Sequence, residues 1–236
     1  EEERLTKTAP EIHGFDIAGR SIWCDETGGD YYDFLYPPAN SKDKIGIVVG
    51  DVTDHGISSA LLMTTARAFL RERIQTPPTA CAAIISDVNK RLVQDVEQLN
   101  LFMTMFYCEL DTKEKSIRWV KAGHEPAILW TPTAADSPEL LSGEGLPLGV
   151  MEDAAYKEYQ KLISSGQIIL IGTDGIKEAV NDSGEMFVTQ RLLQVINNMA
   201  DQPAVAILDA VFDSLDRFCQ PLKIDDDATL VTIKVL

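Results

Sequence analysis

Two short apolar runs, Ile45-Gly46-Ile47-Val48-Val49-Gly50 and Ile168-Ile169-Leu170-Ile171-Gly172, each lead into an aspartate, Asp51 directly and Asp174 after Thr173. Runs this short, rich in β-branched residues and bounded by glycine, are expected for central strands of a layered domain. Further strands are expected at Phe15 to Trp23, Tyr31 to Tyr36, Met103 to Leu110, Ser116 to Lys121, Ala127 to Trp130, Tyr156 to Ile163 and Ala228 to Val235. Those from Met103 to Trp130 read as a meander, and Tyr156 to Gly172 as a hairpin turned at Ser164-Ser165-Gly166. Helical periodicity covers Ile57 to Ile74, Thr79 to Val96, Thr189 to Met199 and Ala204 to Phe218, with Thr79 as an expected N-cap. The order is strands, two helices, strands, two helices, strand, which is not the alternation of a parallel α/β fold. It predicts an α+β fold of two packed antiparallel β-sheets flanked by helix pairs. No linker divides residues 15–236, so they read as one domain. Residues 1–14 are polar, contain Pro10 and Gly14, and read as a linker or an arm arriving from an upstream domain.

Charge narrows the partners. The chain of 236 residues carries 21 Lys+Arg against 37 Asp+Glu, a net charge of −16. Such a field repels nucleic-acid phosphates and anionic membranes, and it suits a protein that gathers carboxylates around a cation. No apolar run reaches the roughly 18 residues of a membrane span. Cys24, Cys81, Cys108 and Cys219 form no C-x-x-C pair and no zinc-spaced set with histidine. They read as thiols in a reducing compartment, with a cytoplasmic location expected. The start, Glu1-Glu2-Glu3-Arg4, has neither an initiator Met nor a signal-peptide core, so a piece of a longer or processed protein is expected.

Several aspartates stand beside glycines at the ends of expected strands. Asp30 follows Gly28-Gly29, Asp51 follows Gly50, Asp174 precedes Gly175, and Asp225-Asp226-Asp227 precedes the last strand. Any one of them is ordinary turn chemistry. Together they are carboxylates on stiff supports, the oxygen donors that Mg²⁺ and Mn²⁺ require. Pattern alone reaches a candidate metal site and no further.

The segment Gly28-Gly29-Asp30-Tyr31-Tyr32-Asp33-Phe34 resembles the opening motif of the metal-dependent PPM (type 2C-like) serine/threonine phosphatases, in their bacterial SpoIIE/RsbU branch. Asp51-Val52-Thr53-Asp54-His55-Gly56 with Ala60-Leu61-Leu62-Met63 resembles the second. Ala122-Gly123-His124-Glu125-Pro126, Leu146-Pro147-Leu148-Gly149-Val150, Thr173-Asp174-Gly175-Ile176-Lys177-Glu178-Ala179 and Asp226-Asp227-Ala228-Thr229-Leu230 resemble the rest, in family order. The resemblance implies the same layered fold. It also implies hydrolysis of phosphoserine or phosphothreonine on a protein at two divalent cations, Mn²⁺ or Mg²⁺, by metal-activated water without a phosphoenzyme. Carried over residue by residue, Asp51 bridges the ions and the Val52 carbonyl is a ligand. Asp174 and Asp226 hold one ion with Asp51, and Asp30 serves the other, with Asp33 a weaker candidate. By family analogy the substrate is a phosphorylated STAS-type anti-sigma-factor antagonist, a sensor or receiver domain lies upstream, and a homodimer is a further expectation.

The remaining polar residues of these motifs carry competing roles. His13 lies in the arm. His55 either donates a proton to the leaving oxygen or orders its loop, and the structural role is favoured. His124 reads as a hydrogen-bonded turn histidine. Asp54 stands where the family pattern usually has Gly, and capping the following helix is favoured over metal ligation. Arg20 is the arginine nearest the first motif, with no clear claim on a substrate phosphate. Two rivals stand beside the phosphatase: a pseudophosphatase that only binds a partner, and a two-metal phosphodiesterase. The full set of carboxylates counts against the first, and the lack of a base-stacking platform against the second.

Overall fold

The structure, a computed structural model, describes residues 11–36, 43–54, 56–76, 80–96, 101–132 and 138–236. The chain begins with β1 (Phe15–Ile22), β2 (Tyr31–Leu35) and β3 (Lys44–Val52), followed by α1 (Ile57–Arg73) and α2 (Cys81–Val96). Then come β4 (Met103–Asp111), β5 (Ser116–Ala122), β6 (Ala127–Trp130), β7 (Glu139–Leu141), β8 (Tyr159–Leu162) and β9 (Ile168–Gly172). A short α3 (Gly175–Glu178), α4 (Val188–Met199), α5 (Ala204–Cys219) and β10 (Ala228–Val235) complete it. One sheet has the order β1-β10-β9-β6-β7 and the other β2-β3-β4-β5-β8, with antiparallel pairing throughout.

Strand alternation explains the layers. On β3, Ile45, Ile47 and Val49 point between the sheets, while Val48 and Val52 point under α1 and α2. On β10, Val231, Ile233 and Val235 face the other sheet, while Ala228 and Leu230 pack under α3, α4 and α5. Three apolar layers result, one between the sheets and one beneath each helical cover. Each fully buried Ile, Leu or Val contributes about 1.5–3 kcal/mol against leaving it exposed, so the two runs that open the sequence sit at the energetic centre. The α+β expectation holds.

Two local expectations need correction. Tyr156 to Gly172 is not a hairpin: β8 pairs with β5, and β9 pairs with β6 and β10 in the other sheet. The chain does turn near Ser164, where Gln167 N–H donates to the Ser164 carbonyl, but it changes sheets as it turns. The meander likewise stops at β5, because β6 belongs to the other sheet. Arg67 and Arg71, in the later turns of α1, both reach Asp33 on β2. The strand β7 and the turn of helix α3 were not expected. Thr79 lies outside the described residues. The first amide of α2, Cys81 N–H, donates to Glu158 Oε2 at 2.5 Å. The four cysteines are free thiols, as read from their spacing. Among the described residues no helix is long and apolar enough to cross a membrane.

Candidate metal centre

Two sheets deliver carboxylates to one end of the domain. In the second sheet, Tyr31 lies opposite Gly50, so the β2–β3 register sets Asp30 and Asp51 side by side just beyond that pair. Asp51 also lies opposite Thr104 on β4. In the first sheet, Gly172 lies opposite Leu230, which brings Asp174, just after β9, to the level of Asp226 and Asp227, just before β10. Thr173 joins the two sheets. Its N–H donates to the Thr229 carbonyl (3.1 Å), its Oγ1 donates to Asp30 Oδ2 (2.8 Å), and Oγ1 accepts from Thr229 N–H (3.0 Å).

Asp227 has a task that the sequence did not reveal. It is 5% exposed, and its carboxylate accepts from the backbone N–H of Cys24 (2.9 Å), Gly29 (2.8 Å) and Asp30 (3.4 Å). It therefore fastens the β1–β2 connection to the start of β10. Asp226 Oδ1 accepts from Asp227 N–H (2.8 Å) and is itself less buried. The Val52 carbonyl opens toward Gly29: a side chain at position 29 would come within 3.0 Å of that oxygen.

Crowding of like charges shows in proton affinity. Burial first, and then the negative charges of Asp174, Asp226 and Asp227, push Asp51 up to about 7. Burial pushes Asp30 well above the usual carboxylate range, with Asp51 adding to it. Asp226 is raised by burial and by Asp174, Asp227 and Asp225, against the pull of a backbone N–H. Among the described residues no His, Cys, Asp or Glu side chains form a ready-made metal-binding group of three or more. The carboxylates raise one another's proton affinity without closing on a point. The donor set still fits hard divalent cations: it is all oxygen, it includes a backbone carbonyl, and a cation would relieve the repulsion that raises Asp51.

Other candidate residues fall elsewhere. Asp33 is 1% exposed and turned to α1, where Arg71 donates from Nε (2.7 Å) and Nη2 (2.9 Å) and Tyr31 OH donates at 3.0 Å. Its charge is answered by arginines, which sets it apart from the other carboxylates. The capping role expected of Asp54 is not what the backbone shows. The N-cap of α1 is Gly56, no side chain caps it, and Asp54 is an exposed residue at φ 62°. Asp54 thus holds the left-handed conformation in which glycine is at ease. Arg20 pairs with Asp209 and lies 5.1 Å from the centre of the Phe212 ring, engaged by α5. Lys177, three residues after Asp174, pairs with Glu125 at 2.6 Å. His13 is exposed, and His55 lies outside the described residues. His124 is buried and bonded to Thr104, as its turn reading anticipated.

The family model described as Stage II sporulation protein E matches residues 41–236. The chain belongs to the SpoIIE family. It is 26% identical over 231 residues to the phosphoserine phosphatase RsbU of Bacillus subtilis, an alignment covering 98% of this chain and 66% of RsbU. The chain therefore spans just under two thirds of that relative. Among solved structures, the SiaA-PP2C domain of Pseudomonas aeruginosa superposes with a TM-score of 0.78 at 21% identity, over 92% of this chain and 86% of that one. RsbX, solved in complex with magnesium, superposes with a TM-score of 0.62 at 15% identity, over 96% and 98%. The fold of this SpoIIE-family chain is that of PP2C phosphatase domains, and its kinship is with serine phosphatases, a hydrolase family for which divalent metals are implied.

Proposed function

We propose that this chain is a metal-dependent protein phosphatase domain that hydrolyses phosphoserine or phosphothreonine. The observation that supports the proposal is that Asp51 raises the proton affinity of Asp30, and Asp174 and Asp226, from the other sheet, raise that of Asp51. In this reading Asp51 and the Val52 carbonyl would help hold two divalent cations, Mn²⁺ or Mg²⁺. Asp174 and Asp226 would hold one ion together with Asp51, and Asp30 would serve the other. The cations, when bound, supply Lewis-acid activation of water and neutralise the phosphoryl oxygens. The chain's own residues fix where that happens. Asp227 holds the Gly29 and Asp30 amides, and the Thr173 hydroxyl orients Asp30, so the carboxylates present to the ions with little reorganisation.

The substrate proposed is a phosphorylated signalling protein, by family analogy a STAS-type anti-sigma-factor antagonist, with an upstream sensor or receiver domain in control. A cytoplasmic setting and a homodimer belong to the same proposal. The net charge of −16 supports a protein substrate over nucleic acid or an anionic membrane. The test is release of phosphate from a phosphoserine protein with Mn²⁺ and with chelator. Activity should vanish with chelator and in Asp51→Asn and Asp174→Asn, with the fold retained by circular dichroism. Full activity in chelator would overturn the proposal.

A further inference from the structure

The proposed function leaves one buried polar side chain of the motifs without a task. β5 ends at Ala122 in one sheet and β6 begins at Ala127 in the other, so residues 123–126 are where the chain crosses between sheets. The crossing is pinned. Gly123 N–H donates to the Gly145 carbonyl (2.9 Å). Gly123 adopts φ 68°, and a side chain there would come within 2.5 Å of Pro147 Cγ. Next to it, His124 is 3% exposed.

The ring of His124 bonds to one sheet and feels the end of the other at the carboxylate end. Its Nδ1 lies 2.8 Å from Thr104 Oγ1, and Thr104 is the residue paired with Asp51 across β3 and β4. The Gly172 carbonyl, at the end of β9 and two residues before Asp174, favours a proton on the ring, as does Glu125. Burial outweighs both, joined by the charges of Lys121 and Lys177, and pushes the histidine down to about 4. The neutral ring then has one accepting nitrogen and one N–H. With Thr104 Oγ1 donating to Nδ1, the N–H is on Nε2. Nε2 is buried and meets no described atom in full hydrogen-bond geometry, and the Gly172 carbonyl is the backbone group that acts on the ring.

We propose that His124 is a positioning residue that bridges Thr104 in one sheet and the Gly172 end of β9 in the other, and so sets the approach of Asp51 to Asp174. The role is distinct from proton transfer, because a ring with so little exposure has no open face toward a leaving group. It rests on the metal-centre reading of the carboxylates. Partners that orient ligand groups, without being ligands themselves, typically change metal affinity by about 10–100-fold when removed.

The experiment is Mn²⁺ titration by calorimetry into the chelator-stripped chain, for the parent and for His124→Ala, His124→Gln and Thr104→Val, each checked by circular dichroism and thermal unfolding. His124→Ala should bind Mn²⁺ about tenfold or more weakly. Thr104→Val keeps the shape, removes the hydroxyl, and should weaken binding in the same direction. His124→Gln, whose amide nitrogen can approach the place of Nε2, should recover part of the loss. If His124→Ala does not fold, Thr104→Val decides the matter. Parental affinity in the folded variant, even with lowered stability, marks a packing residue and overturns this inference alone. A parent chain that binds no Mn²⁺ overturns the metal-centre reading and this inference with it.

Discussion

Asp227 and Asp30 lie 197 residues apart in sequence, yet Asp227 Oδ2 faces the Asp30 amide at 3.4 Å and the adjoining Gly29 amide at 2.8 Å. A buried carboxylate from the last strand's approach thus sets the backbone that presents Asp30. Asp227→Ala would leave the Cys24 and Gly29 amides without their acceptor in a poorly solvated place. The expected cost is about 3 kcal/mol of unfolding free energy, measured by urea denaturation. Asp227→Asn, which keeps one acceptor oxygen, should lose clearly less. Equal losses for the two would remove the amide-holding role.

The second prediction concerns pH. Asp51 is raised from 3.8 to about 7 in the folded chain, so the folded state holds a proton that the unfolded state has released across that interval. Stability from this group is complete below about pH 4 and declines as pH rises toward 7, by about 1.4 kcal/mol per unit at most. The lowered histidine, His124, contributes the opposite slope between about 4 and 6.5. The Asp51 part is therefore best read as a difference. In chelator, Asp51→Asn should gain stability over the parent progressively from pH 5 to 7, followed by denaturant unfolding at each pH. A difference that is flat with pH would contradict the crowding of Asp51. Saturating Mn²⁺ should reverse the advantage, because the cation stabilises the ionised carboxylate.

The third concerns Asp54, at φ 62°. A left-handed residue with a side chain costs roughly 1–2 kcal/mol, less for Asp than for most. Asp54→Gly should therefore stay within about 1 kcal/mol of the parent, the relief offsetting the added freedom of the unfolded chain. Asp54→Val should lose about 1–2 kcal/mol. Turnover of Asp54→Gly should remain within a few-fold. Thermal unfolding of both variants is the measurement, and a Val variant as stable as the parent would argue against the left-handed backbone.

Much of this was legible from residues alone. The two apolar runs form central strands, and the aspartates at their ends are near enough for Asp174 to raise the proton affinity of Asp51. What was missed has definable causes. The turn near Ser164 shows that the chain reverses, but a reversal does not say which sheet receives the next strand. The exposed alternation of β8, with Gln160 and Leu162 open to solvent, carries little sign of its partner β5. The role of Asp227 depends on amides nearly two hundred residues away, and nothing local distinguishes it from Asp225 or Asp226. An acid such as Asp54 just before a helix reads as a cap because acids favour helix starts. The backbone at Gly56, φ 96°, starts the helix without it. Asp33 shared a motif with Asp30, but their settings in and beside β2 place one against α1 and the other beside Asp51.

The pairing of β1 with β10 along eight residues, Phe15↔Val235 to Ile22↔Ala228, has a consequence for biosynthesis. A nascent chain makes β1 before β10 and must keep the β1 edge unsatisfied until β10 has emerged. The same late segment brings Asp226 and Asp227. Non-local closure of this kind slows folding and leaves a strand edge open to other chains meanwhile. Completion of the sheet and completion of the carboxylate cluster are consequently one event, and a translation product truncated before β10 would have neither.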